Sequence, residues 1–321
     1  MAAPQERRRE DRDGPVRSSY ERFVLLVLGV AAFGGAVVGV WWLWTQSGVG
    51  SSVRDSAPNW APDGRVIFAS DQNGQSDLVL ADRVGGNRTQ LTNHAGDEGG
   101  PTYSPDGKWL AFWGSWNGNS EIYVRRVGTE TDIPLTNSQA IDRAPAWSRD
   151  GRQIVFMSNR DNKDFDLYRM DAADGGHLER LTHGRSNGFP EYSPDGGQII
   201  LHVDRDVYIM SLVNQGLRRV TQDPYNGMHP TWSPDGHQIA FMSWRNGRSE
   251  IFTARPDGTE PQVVVTMPTG DAVDPRWSPD GRSIAFVHVP NGIARESPVA
   301  AALGIVYVVE LDSGRLSRVS K

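Results

Sequence analysis

Six prolines carry most of the chain's candidate chemistry just ahead of them. Asp55 precedes Pro58, Asp97 and Glu98 precede Pro101, and Asp142 and Arg143 precede Pro145; Asn187 precedes Pro190, Asn226 and His229 precede Pro230, and Asp271 and Asp274 precede Pro275. Carboxylates placed at one point of a closed ring would focus negative potential and attract cationic or amide-rich ligands. A second set, Trp113, Trp116, Arg160, Trp244, Arg245 and Arg248, falls between apolar runs. Exposed Trp and Arg are common interface anchors. The candidate ligand-binding residues are therefore Asp97, Glu98, Asp142, Arg143, His229, Asp271, Asp274, Trp116, Arg160, Trp244 and Arg245. The competing reading is structural: the acids cap turns between repeats and the Trp residues pack between them.

No catalytic set emerges from the motifs. Gly184-Arg185-Ser186-Asn187-Gly188 has the spacing of a nucleophile elbow, but that elbow needs a strand before it and a helix after it, and here Phe189-Pro190 follows. The seven histidines show no paired ligand spacing, and Asp71-Gln72-Asn73-Gly74 lacks the downstream Glu of a calcium loop. With no cysteine, a thiol nucleophile, a disulfide framework and a Cys-based metal site are all excluded. No metal site and no cofactor is expected. A net charge of −6 argues against a nucleic-acid partner.

The elements that position these residues form a repeat. Trp60-Ala61-Pro62-Asp63-Gly64 recurs with its Asp at 106, 150, 195, 235 and 280, at intervals of 43, 44, 45, 40 and 45 residues. A fixed period of this length signals a repeat architecture. Pro presets φ, Asp bonds nearby backbone and Gly relieves the exit of a tight turn. In five copies the second motif residue is followed by Pro, but in the third copy Arg149 stands there. Each turn is followed by an apolar run (Ile154-Val155-Phe156), then a run usually led by an acid (Asp166-Leu167-Tyr168), then one ending in Leu181-Thr182 or its equivalent. Four short β-branched and aromatic runs per repeat read as one blade of a β-propeller. The expected fold is all-β, a six-bladed propeller of four-stranded antiparallel blades over 57–321. The first copy is one residue short. Because each repeat begins on an inner strand and ends on an outer one, ring closure has no obvious shared strand, unless Val53–Ser56 supplies pairing. Blade four should carry a minimal hairpin at Val203–Asp206, and blade six an insertion from Pro290 to Leu303.

These six copies resemble the WD40-like PD40 repeat of the TolB-type β-propeller family, and the resemblance covers about 57–321. More broadly the repeats are similar to the propellers of prolyl-oligopeptidase-like and tricorn-like peptidases. The resemblance implies envelope partners such as peptidoglycan-associated lipoproteins. It departs from TolB in that an apolar segment, rather than a small α/β domain, precedes the propeller. No chain follows blade six for the hydrolase domain that peptidase propellers carry.

Residues 1–22 are polar and Arg-rich, read as a disordered tail. Residues 23–44 carry no charge and, at ~1.5 Å each, span roughly 33 Å, enough for a bilayer core. Trp41, Trp42 and Trp44 sit at the far end, as in an aromatic belt. This reads as a single N-terminal transmembrane helix, with a cleaved signal peptide as the alternative. The Arg excess ahead of it places the N-terminus in the cytoplasm and the propeller outside the cytoplasmic membrane. Ala31, Gly35 and Gly39 share one helix face and permit a homodimer contact. Residues 45–56 form a linker. The functional expectation is a membrane-anchored, extracytoplasmic, non-enzymatic module that binds an envelope protein or peptide. The alternatives are a polysaccharide-degrading enzyme, for which Asp142, Arg143, His229 and Asp274 are available, or a glycan- or small-ligand-sensing ectodomain using the channel mouth.

Overall fold

The structure, a computed structural model, describes residues 55–221, 227–244, 247–290 and 304–320. They form six four-stranded antiparallel sheets, each made of four strands consecutive in the chain. The inner strands are Asp55–Trp60, Glu98–Tyr103, Asp142–Trp147, Asn187–Tyr192, Met228–Trp232 and Asp271–Trp277. Neighbouring inner strands pack on one another around the ring, first against last included. The expected six-bladed propeller is thus the observed fold. Among the described residues no helix is long and apolar enough to cross a membrane. The expected span at 23–44, with Ala31, Gly35 and Gly39, lies outside them, as do Asn226, Arg245 and most of the blade-six insertion.

The core is distributed over the seams between blades. Second strands are buried on both faces, with Phe68, Phe112, Phe156, Phe241 and Phe286 essentially inaccessible. Each seam joins residues of adjacent blades, such as Leu201 and Val155, or Phe68 and Phe286. A sheet buried on both faces has continuous apolar runs rather than an alternation, and this is why the runs read so clearly in the sequence.

The repeated polar residues hold each blade together. In the turn of blade 5, Ser233 Oγ donates to Asp235 Oδ1 (2.6 Å) and accepts from Gln238 N–H (2.9 Å), while Asp235 Oδ1 accepts from His237 N–H (3.0 Å). Blades 2, 3, 4 and 6 repeat the Ser–Asp bond. Blade 1 has Ala61 instead, and there Arg65 Nε donates to Asp63 Oδ2 (2.8 Å). The missing residue of blade 1 is absorbed in this turn: Trp60 pairs with Val66, whereas Tyr103 pairs with Leu110.

The Leu-Thr pairs expected to end the fourth strands lie just past them. The third blade's fourth strand is Glu179–Arg180, and Thr182 turns back so that its hydroxyl accepts from Leu167 N–H (2.9 Å) and donates to Asp166 (3.0 Å). The hydroxyl competes for the backbone and ends the ladder there.

Closure of the ring uses the same bond as every other seam. The N–H of Glu98 donates to Ser76 O, that of Asp142 to Ser120 O, that of Asn187 to Phe165 O, that of Gly227 to Arg205 O and that of Ala272 to Ser249 O, all at 2.7–2.9 Å. Asp55 N–H donates to Gly304 O (2.9 Å), and Gly304 N–H donates back to Asp55 O (2.8 Å). The first and last blades therefore meet through the bond that the other neighbours use plus this return bond, without a shared strand.

Candidate functional site

Each inner strand breaks its pairing at the proline. Register shifts occur there in all six blades. Pro has no N–H to give to the ladder, so a bulge is the local solution. The residue before it takes positive φ every time: Ala57 (47°), Gly100 (58°), Ala144 (51°), Phe189 (51°), His229 (48°) and Asp274 (58°). Five of these are not glycine, and for Phe189 this is a true outlier. The residue after the proline then lies on the wall of a central cavity of about 410 Å³, which draws lining from all six blades. Asn59, Thr102, Ala146, Glu191, Thr231 and Arg276 occupy that position.

The pre-proline ring is lopsided. Blades 1 to 3 place Ala57, Gly100 and Ala144 in it; blades 4 to 6 place Phe189, His229 and Asp274. The large half is closed by its own contacts. Phe189 stacks on His229 with ring centroids 3.7 Å apart, and His229 Nδ1 lies 2.7 Å from Asp274 Oδ1. Burial would raise the Asp274 carboxyl, but His229, then Arg276 and the Ala57 N–H, outweigh it and hold the carboxyl below its usual range. His202 stacks behind His229 at 5.7 Å and is pushed down to about 3, first by burial and then by His229. The His229 ring is buried beneath Phe189 and does not line the cavity.

The small half leaves room, and blades 2 and 3 furnish it. Trp113 lies flat across the inner strand of its own blade at Gly99, where a Cβ would come within 2.7 Å of the indole. On that indole rests the Arg143 guanidinium, 4.4 Å from the ring centroid, with Nε donating to Ser120 Oγ (3.1 Å). Burial lowers the Arg143 pKa, and Asp97 opposes that only by long-range attraction. Arg149, which takes the place of proline in the third turn, lines the turn end of the same cavity. On the adjoining blade 4, Glu191 Oε1 accepts from Trp232 N–H (2.9 Å). Enclosure by protein raises the Glu191 carboxyl, with Arg276 nearby pulling the other way.

The acids read from the sequence lie mostly inside the seams. Asp142 is fully buried and paired with Arg160 (2.8 Å). Glu98 is buried against His94, which stacks on Trp116 at 4.0 Å, and burial raises the Glu98 carboxyl. Asp271 is buried and accepts from Ser249 N–H. Asp97 is exposed and accepts from Ser76 N–H (3.1 Å). Trp244 packs against the core between blades 5 and 6. Of the candidates, Arg143 and Asp274 line the cavity and His229 stands directly behind it. Sequence reasoning missed Glu191, Arg276 and Arg149. A signal existed: the residue between proline and aromatic varies while its neighbours repeat, and Arg149 alone breaks the turn proline.

The TolB β-propeller domain (PD40) pattern matches residues 49–206 and 184–305. The chain belongs to the TolB β-propeller family. An uncharacterised protein of Agrobacterium fabrum is 31% identical over 199 residues, covering 59% of this chain and 65% of that protein. The Tol-Pal system protein TolB of Francisella tularensis subsp. holarctica is 32% identical over 151 residues, 45% of this chain and 32% of that protein. The matched stretches thus span less than two thirds of these relatives. Among solved structures, TolB from Acinetobacter baumannii superposes with a TM-score of 0.66 at 20% identity, over 84% of this chain and 63% of that one. The oligogalacturonate lyase of Vibrio parahaemolyticus superposes with a TM-score of 0.56 at 18% identity, over 84% and 79%. At such identities both show a shared fold alone.

Proposed function

We propose that this chain is a non-enzymatic binding module of the cell envelope, held to the cytoplasmic membrane by residues 23–44 with its propeller outside, and that it recognises a protein or peptide. The observation that carries the reading is the contrast within the family repeat: a rigid, uniform scaffold presents a central cavity whose lining differs in every blade. Rigid scaffolds with variable lining are how propellers and other repeat folds build recognition surfaces. Membership beside a Tol-Pal system protein supports an envelope partner. The enzymatic alternative draws no support from His229 and Asp274, because the imidazole is covered by Phe189 and a substrate in the cavity does not reach it. Nor does it draw any from Asp142, whose carboxylate is committed to Arg160.

The test uses the full chain in detergent, immobilised and exposed to envelope extract, with the retained protein then purified and its affinity measured directly. A micromolar or tighter partner whose binding is weakened at least tenfold by Glu191→Gln or Thr231→Ala is expected. Turnover of a polysaccharide by the purified chain would overturn the non-enzymatic reading. Membrane fractionation with protease access to the propeller from outside checks the anchor and its orientation.

A further inference from the structure

Blade 1 departs from the others at one position of its third strand. Opposite the central large residue of the second strand stands Tyr123 against Phe112, Tyr168 against Phe156, Tyr208 against Leu201, Phe252 against Phe241 and Tyr307 against Phe286. In blade 1 that position is Val79, against Phe68. The shorter side chain leaves a second cavity, of about 240 Å³, which shares no lining residue with the central one. Ser70, Asn73, Asp77, Val79, Arg88 and Gln90 are on its walls.

Those walls hold buried groups that the fold does not use. Ser70 and Asp77 are each 1% exposed. Ser70 Oγ, Asp77 Oδ1 and both terminal nitrogens of the Arg88 guanidinium are shut off from solvent and make no hydrogen bond. The strand register sets Ser70 beside Asp77, and Arg88 lies over the Phe68 ring, 5.2 Å from its centroid. The other Asp77 oxygen accepts from Gln90 Nε2 (2.9 Å), and Asn73 Nδ2 donates to Gln90 Oε1 (3.2 Å). The corresponding acid of blade 3 has nothing to spare: Asp166 Oδ1 accepts from Thr182 and Asn187, and its Oδ2 from Asn162 and Arg180. Burial raises the Asp77 carboxyl, against Asn73, His94 and Gln90. Burial also raises the Asp55 carboxyl on the neighbouring first strand, and Arg88 acts on it only at longer range, after Ser320 and Ser70. Asp77 and Arg88 therefore face one cavity without forming an ion pair with each other. Buried charges are retained where something completes them.

We propose that this cavity of blade 1 binds a free α-amino acid, with the ligand's carboxylate on the Arg88 guanidinium and its ammonium on Asp77 Oδ1 and Ser70 Oγ. A small ligand bearing one charge of each sign completes both idle groups at once. A simple anion would leave Asp77 unpaired, and a simple cation would leave Arg88 unpaired. A guanidinium with both terminal nitrogens free matches a carboxylate bidentately, and a carboxylate with a hydroxyl accepts two of the three ammonium protons. The ligand's side chain turns towards Val79, into space that an aromatic ring fills in the other five blades, so apolar side chains are preferred. This site stands apart from the recognition cavity and does not rest on that reading.

The experiment titrates the full chain in detergent, by calorimetry, with L-leucine and L-phenylalanine and with the N-acetyl and carboxamide forms of each. Saturable binding of at least one free amino acid is expected, weakened about tenfold or more by either blocking group, because each block removes a charge-assisted bond. Arg88→Gln should weaken binding of the free amino acid about tenfold and cease to discriminate against the carboxamide. Asp77→Asn should weaken it similarly and cease to discriminate against the N-acetyl form. A purely structural role for either residue would leave those selectivities in place. Val79→Tyr installs the residue that blades 2, 3, 4 and 6 carry there and should abolish binding, while the surface change Arg126→Gln leaves it unchanged. Thermal melts show which variants are folded, and the comparison of blocked with free probes on the unaltered chain decides the matter where a variant is not. No binding of either amino acid at millimolar concentration makes the cavity a hydrated gap and overturns the proposal. Equal binding of free and blocked forms, or undiminished binding by folded Val79→Tyr, overturns it as well.

Discussion

The turn end and the bulge level of the inner strands are built from the same six repeats and use them in opposite ways. At the turns the side chains repeat and the hydrogen bonds repeat with them, Ser to Asp in blades 2 to 6, Asp to the N–H two residues on, and Gly at φ between 68° and 83° in all six. At the bulges the backbone repeats, with φ between 47° and 58° in every blade, but the side chains run from Gly100 to Phe189. A proline that cannot donate fixes the second geometry from outside the residue concerned, so that residue is released to vary. The repeated polar residues therefore hold the fold, and the varied ones shape the cavity.

Breaking the seam beside the bulge should have the largest effect. Asp142→Ala leaves the Arg160 guanidinium without its buried partner and is expected to lower stability by about 3 kcal/mol in denaturant unfolding. Removing one turn lock is smaller. Ser233→Ala loses a bond to Asp235 and one from Gln238, and about 1–2 kcal/mol is expected. If Asp142→Ala costs less than Ser233→Ala, the ranking of seam over turn is wrong.

Acid should act on the turns collectively. The carboxyls of Asp63, Asp106, Asp150, Asp195 and Asp235 are held below the usual carboxylate range, for Asp106, Asp150, Asp195 and Asp235 chiefly by the neighbouring Ser and for Asp63 chiefly by Arg65. Asp280 falls to about 2: burial opposes the shift, while Ser278, Arg282 N–H and Arg83 outweigh it. A depressed carboxyl stabilises the fold fully above its unfolded pKa and loses that contribution as pH falls through its folded value. The turns should therefore weaken between about pH 4 and pH 2, and Asp280→Asn should flatten the slope of stability against pH in that window. An unchanged slope in the variant would remove the turns from the account of acid unfolding.

The bulges sharpen the comparison with small effects. Ala144→Gly relieves a left-handed alanine and should gain up to about 1 kcal/mol. Asn59→Ala should change stability by less than about 0.5 kcal/mol while altering what the cavity binds. A large loss from Asn59→Ala would assign the cavity lining to the fold rather than to recognition.

Much of the architecture was legible because it is local. The Pro-Asp-Gly turns, the apolar runs through Phe156 and Phe241, and the two-residue hairpin at Asp204-Arg205 follow from turn chemistry and hydrophobic patterning within a few residues. The site was legible only in part. Carboxylates near a proline read alike in sequence, whether they face solvent or a seam. Burial of Asp142 against Arg160, and of Glu98 against His94, depends on loops about 18 and 4 residues away folding back onto them.

The sequence by itself determined the repeat and the strand count per blade, because these rest on period, turn residues and hydropathy. Only the tertiary structure decided how the ring closes and what lines its centre. Asp55 meets Gly304 across 249 residues through the seam bond that every blade uses. Arg143, Arg149 and Arg276 share one cavity only because six bulged strands converge on a common axis. Convergence of that kind is set by the packing of blade on blade, which no window of neighbouring residues contains.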